Sequence, residues 1–324
     1  MKLLIPFLGR LQILGAVLVL LCISSLSLTV AAQDNSLAQE LLTRMSKSVR
    51  ELNYRGKFTF EVADNAIETY ELTHRVTQNE ENERLVRLNG REKIVVRNSQ
   101  VTDCLAVGDK ILRGSLSNIH PSDQLFSNYS LYLRGEQRIA NRLAYLLQFV
   151  PHDVYRNGQT LAVDKETFLP LQKQWFSPDS KLIERLQFVE MELEPDVTED
   201  NAAASAKLPT LRVNNSACGN EEPGRATWSV NWLPKGFFLT RVGRTDEGES
   251  ILSYTDGLAS FSIFVREQPV SVMVQGKSDY GATVAYVGNR MWQQNPFRIT
   301  VIGEIPLLTA QKIVAGLEPV ALSE

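Results

Sequence analysis

Three histidines, His74, His120 and His152, are the chain's supply of neutral-pH bases, and beyond residue 32 it carries two cysteines, Cys104 and Cys218. Neither set is spaced for chemistry. The histidines fall in no HExxH, HxH or cysteine-flanked arrangement, so no metal-ligand pattern is written locally. A G-x-S-x-G elbow, a P-loop and a G-x-G-x-x-G turn are all absent. His74 falls on the apolar side of a strand pattern, where a satisfied core or cavity residue is the simpler reading than a base. His120 precedes Pro121 and reads as a loop residue. Carboxylates are plentiful but scattered, and the run "NEENE", residues 79–83, reads as a solvated hairpin tip. Cys104 lies in a strand pattern with no helix start beside it to stabilise a thiolate. These residues predict no enzyme and no cofactor.

The remaining chemistry is that of compartment and surface. Lys2 and Arg10 give a positive start before the apolar run "LQILGAVLVLLCISSLSL", and "TVAA" supplies small residues for cleavage after Ala32. Residues 1–32 therefore read as a secretory signal peptide; an uncleaved anchor is the alternative, and Leu21 before Cys22 is too bulky for a lipoprotein signal. Loss of this segment leaves 32 basic against 37 acidic residues and moves the formal net charge from -3 to -5, with no basic excess for nucleic acid. In an oxidising compartment Cys104 and Cys218 either pair, which would stabilise by about 2–5 kcal/mol, or stay as two thiols.

The elements that must position any site follow from periodicity. "SLAQELLTRMSKSVREL" places Leu37, Leu41, Leu42, Met45, Val49 and Leu52 on one helical stripe, with Ser36 and Gln39 as a capping box. "KFTFEV" and "TYELTHRV" alternate with period two: Phe58, Phe60 and Val62 share one face, as do Tyr70, Leu72, His74 and Val76. "ERLVRL", "EKIVVR", "QVTDCLAV" and "KILR" follow, with turns at Asn89-Gly90 and Gly108-Asp109. Residues 114–135 read as a long functional loop with short helical pieces. "EQRIANRLAYLLQF" fits either a helix, through Ile139, Leu143, Leu146 and Leu147, or a strand. "QTLAVD", "LPLQKQWF" and "KLIERLQFVEMEL" resume the sheet, the last two joined by "SPDS" at 177–180. The composition then shifts to an Ala-, Asn-, Pro- and acid-rich linker over 196–225. "TWSVNWLP", "FFLTRVG", "SILSY", "LASFSIFV", "ATVAYVG" and "FRITVIGE" predict a second domain of about six strands, closed by the helix "PLLTAQKIVAGL" with Pro306 in its first turn.

The stretch "YTDGLASFSIFV", residues 254–265, reads as a turn and a strand. Ala259, Phe261, Ile263 and Val265 form an apolar face for the closing helix. Leu258, Ser260, Ser262 and Phe264 form a mixed face that is solvated or meets a partner.

The ordered set "YRGKFTF", "HRV", "LNGREKIVVR", "RIANRL", "VDKETFLPLQ", "WSVNWLPKGF", "YTDGLASFSIFV", "ITVIGEIP" and "TAQKIV" spans nearly the whole chain after residue 32 and resembles the RseB/MucB family, periplasmic regulators of the envelope-stress sigma factor. The stretch "HDVYRNGQTLAVDKET" departs from relatives with more aromatics there. The resemblance implies an α+β chain: a LolA/LppX-like curved antiparallel half-barrel with helices, over residues 33–195, then a smaller α/β domain over 226–320. It implies that the chain binds the periplasmic domain of a membrane-spanning anti-sigma factor (RseA/MucA type) and shields it from the site-1 protease, with release by lipid, lipopolysaccharide or mislocalised lipoprotein. Phe58, Phe60, Tyr70 and Leu72 are the candidate lining of a lipid cavity, although for each residue a filled core is the simpler reading; Trp232 and Phe264 are the candidate partner contacts. Oligomeric state is left open. A periplasmic lipid or lipoprotein carrier is the alternative, although a pure carrier has no need of the second domain. An envelope hydrolase is disfavoured by the absent motifs.

Overall fold

The computed structural model describes residues 37–63, 65–77, 80–91, 93–100, 123–194, 210–214, 226–245, 247–269 and 275–320. Helix α1, residues 37–51, is amphipathic: Ala38, Leu41, Leu42, Met45 and Val49 are buried along one stripe. The expected capping residue Ser36, the expected signal segment 1–32, Cys104, His120 and Cys218 lie outside the described residues.

Ten strands form the first sheet. In chain order they are β1 (Tyr54–Val62), β2 (Glu68–Thr77), β3 (Glu80–Arg87), β4 (Ile94–Gln100), β5 (Tyr129–Ile139), β6 (Arg142–Pro151), β7 (Gly158–Asp164), β8 (Pro170–Phe176), β9 (Leu182–Leu193) and β10 (Thr210–Asn214), with the short helix α2 (Asp123–Asn128) before β5. Their spatial order is β10-β4-β3-β2-β1-β9-β8-β7-β6-β5. Two meanders, β1 to β4 and β5 to β9, are joined where β1 pairs antiparallel with β9. Among the described strands only β10 pairs parallel, beside β4, so the segment read as a linker carries a strand. Alternation is strict in β1, where Tyr54, Phe58, Phe60 and Val62 point inward. On its outer face Arg55 and Lys57 reach Glu192 and Glu190 of β9 at 2.6 and 2.8 Å.

One open reading is decided and two expectations change here. Residues 136–149, open to helix or strand, are strands: Ala140 (φ 49°) and Asn141 (φ 62°) form a two-residue turn that pairs Ile139 with Arg142. Consecutive left-handed residues match the twist of a hairpin, and the helical spacing of the leucines is a coincidence of strand faces. Residues 129–135, read as part of a long loop, belong to β5. Within the acidic run at 79–83, two carboxylates are not solvated. Glu81 and Glu83 lie on β3 and are 1 % and 2 % exposed, because strand alternation puts them on the same inward face as Leu85.

The second domain comprises β11 (Trp228–Val230), β12 (Phe238–Arg244), β13 (Ser250–Thr255), β14 (Ser260–Glu267), β15 (Gly276–Tyr280), β16 (Thr283–Trp292), β17 (Asn295–Gly303), helix α3 (Leu307–Ala315) and β18 (Leu317–Pro319). Six strands make an antiparallel sheet in the order β12-β13-β14-β17-β16-β15, and β11 pairs with β18. Phe261, Ile263 and Val265 of β14 enter one core with Ala310, Ile313 and Val314 of α3, as the face reading of 254–265 expects. Pro306 caps α3 from the N-terminal side. The whole is α+β, mostly antiparallel sheet with few helices. Among the described residues no helix is long and apolar enough to cross a membrane.

Candidate functional site

Phe58, Phe60, Tyr70 and Leu72 come together on the inner face of β1 and β2, in one core with the apolar stripe of α1. Phe58 pairs with Tyr70 in register, their rings stacked at 5.4 Å, and Phe188 of β9 tilts against Phe58 at the same distance. The Tyr70 hydroxyl donates to Glu68, and Arg87 holds Glu68 from the other side at 2.8 Å. Burial, then the neighbouring Glu68 carboxylate, drives the Tyr70 phenol far above its ordinary range, so it stays a neutral donor. This face is an apolar layer packed between helix and sheet, with one polar edge at Glu68 and Arg87.

His74 continues the same face of β2. Its Nδ1 lies 2.8 Å from the Leu52 carbonyl, which can only accept, so Nδ1 carries a proton. Nε2 lies 3.0 Å from Glu81 Oε1, and the ring stacks on Tyr54 at 4.8 Å. His74 is thus a satisfied core residue tying the end of α1 to β2 and β3. Among the described residues, His74, Glu81 and Glu83 form the one grouping whose ligand atoms, all within 4.8 Å, could share a cation. Arg97 stands opposite Glu83 in register on β4. His152 is exposed: Ser130 Oγ lies 2.9 Å from its Nε2 and the Ser127 carbonyl 3.1 Å from its Nδ1. The order resembles that of a nucleophile and base, yet nothing shields it from water, and it fastens the end of α2 to β5.

The densest polar geometry lies between the domains. Asp256, fully buried at the turn between β13 and β14, accepts four hydrogen bonds. Oδ1 takes the backbone N–H groups of Leu258 (3.0 Å) and Ala259 (2.8 Å); Oδ2 takes Arg156 Nε (2.7 Å) and Tyr129 Oη (2.9 Å). Arg156 is also fully buried, and it donates further to Asp153 and to the Lys235 carbonyl. Its guanidinium lies over the Phe237 ring at 5.0 Å. Burial and the adjacent Asp256 carboxylate hold the Tyr129 hydroxyl well above its ordinary range. Gly236, beside this site, has φ +88°, and any Cβ there would collide with the Asn128 side chain.

Two contacts flank this centre. Lys312 of α3 donates to Tyr155 Oη at 2.9 Å and lies over the rings of Tyr155 and Trp232 at 4.6 and 4.5 Å, while Thr309 donates to the Tyr155 carbonyl. On the other side, the turn after β15 offers the Ala282 N–H to Glu184 of β9 at 3.0 Å. The two cores also exchange side chains: Trp175 of β8 belongs to the second core, and Leu258 to the first.

Trp232, expected at a partner surface, therefore packs at the seam. Phe264 is half-buried on the opposite face of the second sheet, in register with Ile251 and Thr300, so the two are not brought together. Sequence reading missed Asp256, Arg156 and Tyr129. Asp256-Gly257 signalled only a turn, and nothing local to "HDVYRNG" names a partner 100 residues away.

Both halves match one family. The MucB/RseB N-terminal domain model matches residues 37–206, and the MucB/RseB C-terminal domain model matches residues 222–318. The chain belongs to the MucB/RseB family of two-domain regulatory proteins. It is 31 % identical to the sigma factor AlgU regulatory protein MucB of Pseudomonas aeruginosa, covering 94 % of this chain and 98 % of that one. It is 26 % identical to the sigma-E factor regulatory protein RseB of Haemophilus influenzae, over 91 % and 95 % of the two chains. Among solved structures, it is similar to the complex of Pseudomonas aeruginosa MucA and MucB (TM-score 0.69, 31 % identity, 88 % of this chain and 99 % of that chain). It is likewise similar to MucB in complex with MucA(peri) (TM-score 0.68, 30 % identity, 88 % and 99 %).

Proposed function

We propose that this protein is a negative regulator of an envelope-stress sigma factor. It is exported to the periplasm behind a signal peptide over residues 1–32. There it binds the periplasmic segment of a MucA/RseA-type membrane anti-sigma factor and shields that segment from the first proteolytic cut. It acts by occupation and not by catalysis. The observation that carries this reading is similarity, across both domains, to MucB solved with the periplasmic part of MucA.

In this reading residues 33–195 are a LolA-like half-barrel, 196–225 a connection and 226–320 the partner-facing domain. The apolar layer of Phe58, Phe60, Tyr70 and Leu72 takes an acyl chain of a lipid, lipopolysaccharide or lipoprotein, the signal for release. Trp232 and Phe264 are the candidate partner contacts, and Cys104 and Cys218 a candidate disulfide, two free thiols being the alternative. An extended segment suits an outer strand of the second sheet, β12 or β15, since main-chain pairing at a sheet edge gives affinity and alternate side chains give specificity.

The test uses the chain from Gln33 onward and the periplasmic segment of the anti-sigma factor from the same organism. The expected result is one-to-one binding and slower cleavage of that segment by the site-1 protease. A chain that extracts acyl lipid but neither binds nor protects the segment is the carrier of the alternative reading.

A further inference from the structure

We infer that an extended, net-acidic peptide segment adds to the second sheet at the outer edge of β12, with one of its side chains seated in a notch at Gly243. This rests on the reading of the partner as a peptide segment, and it commits that segment to one edge and one sign of charge.

The six-stranded sheet has two edges, β12 and β15. Unpaired N–H and C=O groups along an edge invite a further strand, and folded chains blunt them with short strands, mixed charge or cover. β15 is blunted. It is five residues long and carries both Lys277 and Asp279. Its end is tied to the first domain, where Tyr280 packs on Phe60 at 6.1 Å and the Ala282 N–H donates to Glu184. β12 keeps large apolar side chains in the open: Phe238 and Leu239 are 45 % and 41 % exposed. Among the described residues no strand pairs with its outer side. Its start is held in place, because the Lys235 carbonyl accepts from buried Arg156 and the Arg156 guanidinium lies over the Phe237 ring.

The charge of this edge selects the occupant. The chain as a whole is net acidic, yet from Lys235 to Arg244 it has three basic residues, Lys235, Arg241 and Arg244, and no acidic one. Lys235 and Arg244 are exposed, one before the strand and one at its end. Glu247 and Glu249, just beyond, are engaged by Arg266 and Arg298. An edge of one sign repels a second copy of itself and attracts an acidic strand.

Gly243 supplies the notch. It lies in the regularly paired stretch from Arg241 to Arg244, past the register shift at Thr240. It stands opposite Ile251, Ile251 opposite Phe264, and Phe264 opposite Thr300, so one row crosses the outer face of the sheet from this edge. A Cβ at Gly243 would meet only Arg241 Nε, at 3.8 Å, and the backbone there is not left-handed. Neither conformation nor packing within the chain calls for glycine, and a strand glycine of this kind suits the close approach of another backbone. A side chain of the added strand opposite Gly243 rests against half-buried Ile251 and extends the row that holds Phe264.

The test uses the chain from Gln33 onward and the periplasmic segment of the anti-sigma factor from the same organism, with calorimetry for affinity and hydrogen exchange read over β12, β15 and β5. At saturation the outward amides of residues 241–244 are expected to exchange at least about tenfold more slowly, with β15 and β5 unchanged. Gly243→Val fills the notch with a residue suited to strands; it is expected to keep a urea midpoint at or above that of wild type and to bind about tenfold more weakly. Lys235→Glu combined with Arg244→Glu is expected to weaken binding about tenfold at low salt and to remove most of its salt dependence. Binding that leaves β12 exchange unchanged, or that has wild-type strength in both variants, overturns this inference and leaves the functional reading standing. Protection of β12 that rises with protein concentration alone assigns the edge to a second copy and also overturns it. No binding of the segment by wild type overturns the functional reading and this inference with it.

Discussion

Asp256→Ala is the sharpest perturbation of the seam. It removes four hydrogen bonds at once and leaves the fully buried Arg156 guanidinium with Asp153 and the Lys235 carbonyl as its remaining polar partners. Removing one member of a buried ion pair costs about 3–5 kcal/mol, because the other charge stays desolvated. The loss here falls in that range, toward its lower end because Arg156 keeps two partners. Urea unfolding of the chain from Gln33 onward, followed by tryptophan fluorescence, reads this directly, since Trp175 and Trp228 sit in the second core and Trp232 at the seam. The variant is expected to separate a single transition into two as the domains lose their shared contact. A double-mutant cycle with Arg156→Met isolates the pair. The double variant should lose at least about 2 kcal/mol less than the sum of the single losses, because the stranded charge has gone. A single, unsplit transition within about 0.5 kcal/mol of wild type for Asp256→Ala would falsify the account of the seam.

Four further outcomes follow. Burial pushes the Asp164 carboxyl up, but the Arg142 guanidinium and the Thr167 N–H and hydroxyl outweigh it and hold it below its ordinary 3.8; its stabilisation is therefore full above that value and lost as pH falls through the lower folded value, so urea midpoints of wild type and Asp164→Asn should differ at pH 7 and converge in acid. Gly236→Ala, with a left-handed φ and the Asn128 side chain in the way of a Cβ, should cost about 1–3 kcal/mol in thermal or urea melts. His74→Ala removes the hydrogen bonds to the Leu52 carbonyl and to buried Glu81 and the ring stacked on Tyr54, and should cost about 2–4 kcal/mol, with faster hydrogen exchange at the end of α1. Phe264→Ser, on the half-buried outer face of β14, should leave the urea midpoint within about 1 kcal/mol yet weaken binding of the anti-sigma segment at least about tenfold by calorimetry.

The local pattern of the chain carried much of the architecture. The stripe of α1, the two faces of β1 and β2 and the apolar face of β14 are periodicities of 3.6 and 2, and each is visible in a dozen residues because burial repeats with backbone geometry. The ordered motifs carried the family, and with it the partner. The faces of "EQRIANRLAYLLQF" were ambiguous because its leucines satisfy both periods; the turn at Ala140-Asn141 decided between them. The burial of Glu81 and Glu83 was illegible because a charged run reads as solvated until a histidine from the neighbouring strand is placed against it.

What the sequence determined by itself, then, is most of the strands, several of their inward faces and the kinship of the two halves, since these depend on residues close along the chain. What only the tertiary structure decided is how the halves are joined. Asp256 meets Arg156 and Tyr129 across 100 and 127 residues, and Leu258 leaves its own domain to fill the other's core. Desolvated charge and shape complementarity are properties of surfaces brought together by folding, and no spacing along the chain encodes which carboxylate will be the one left without water.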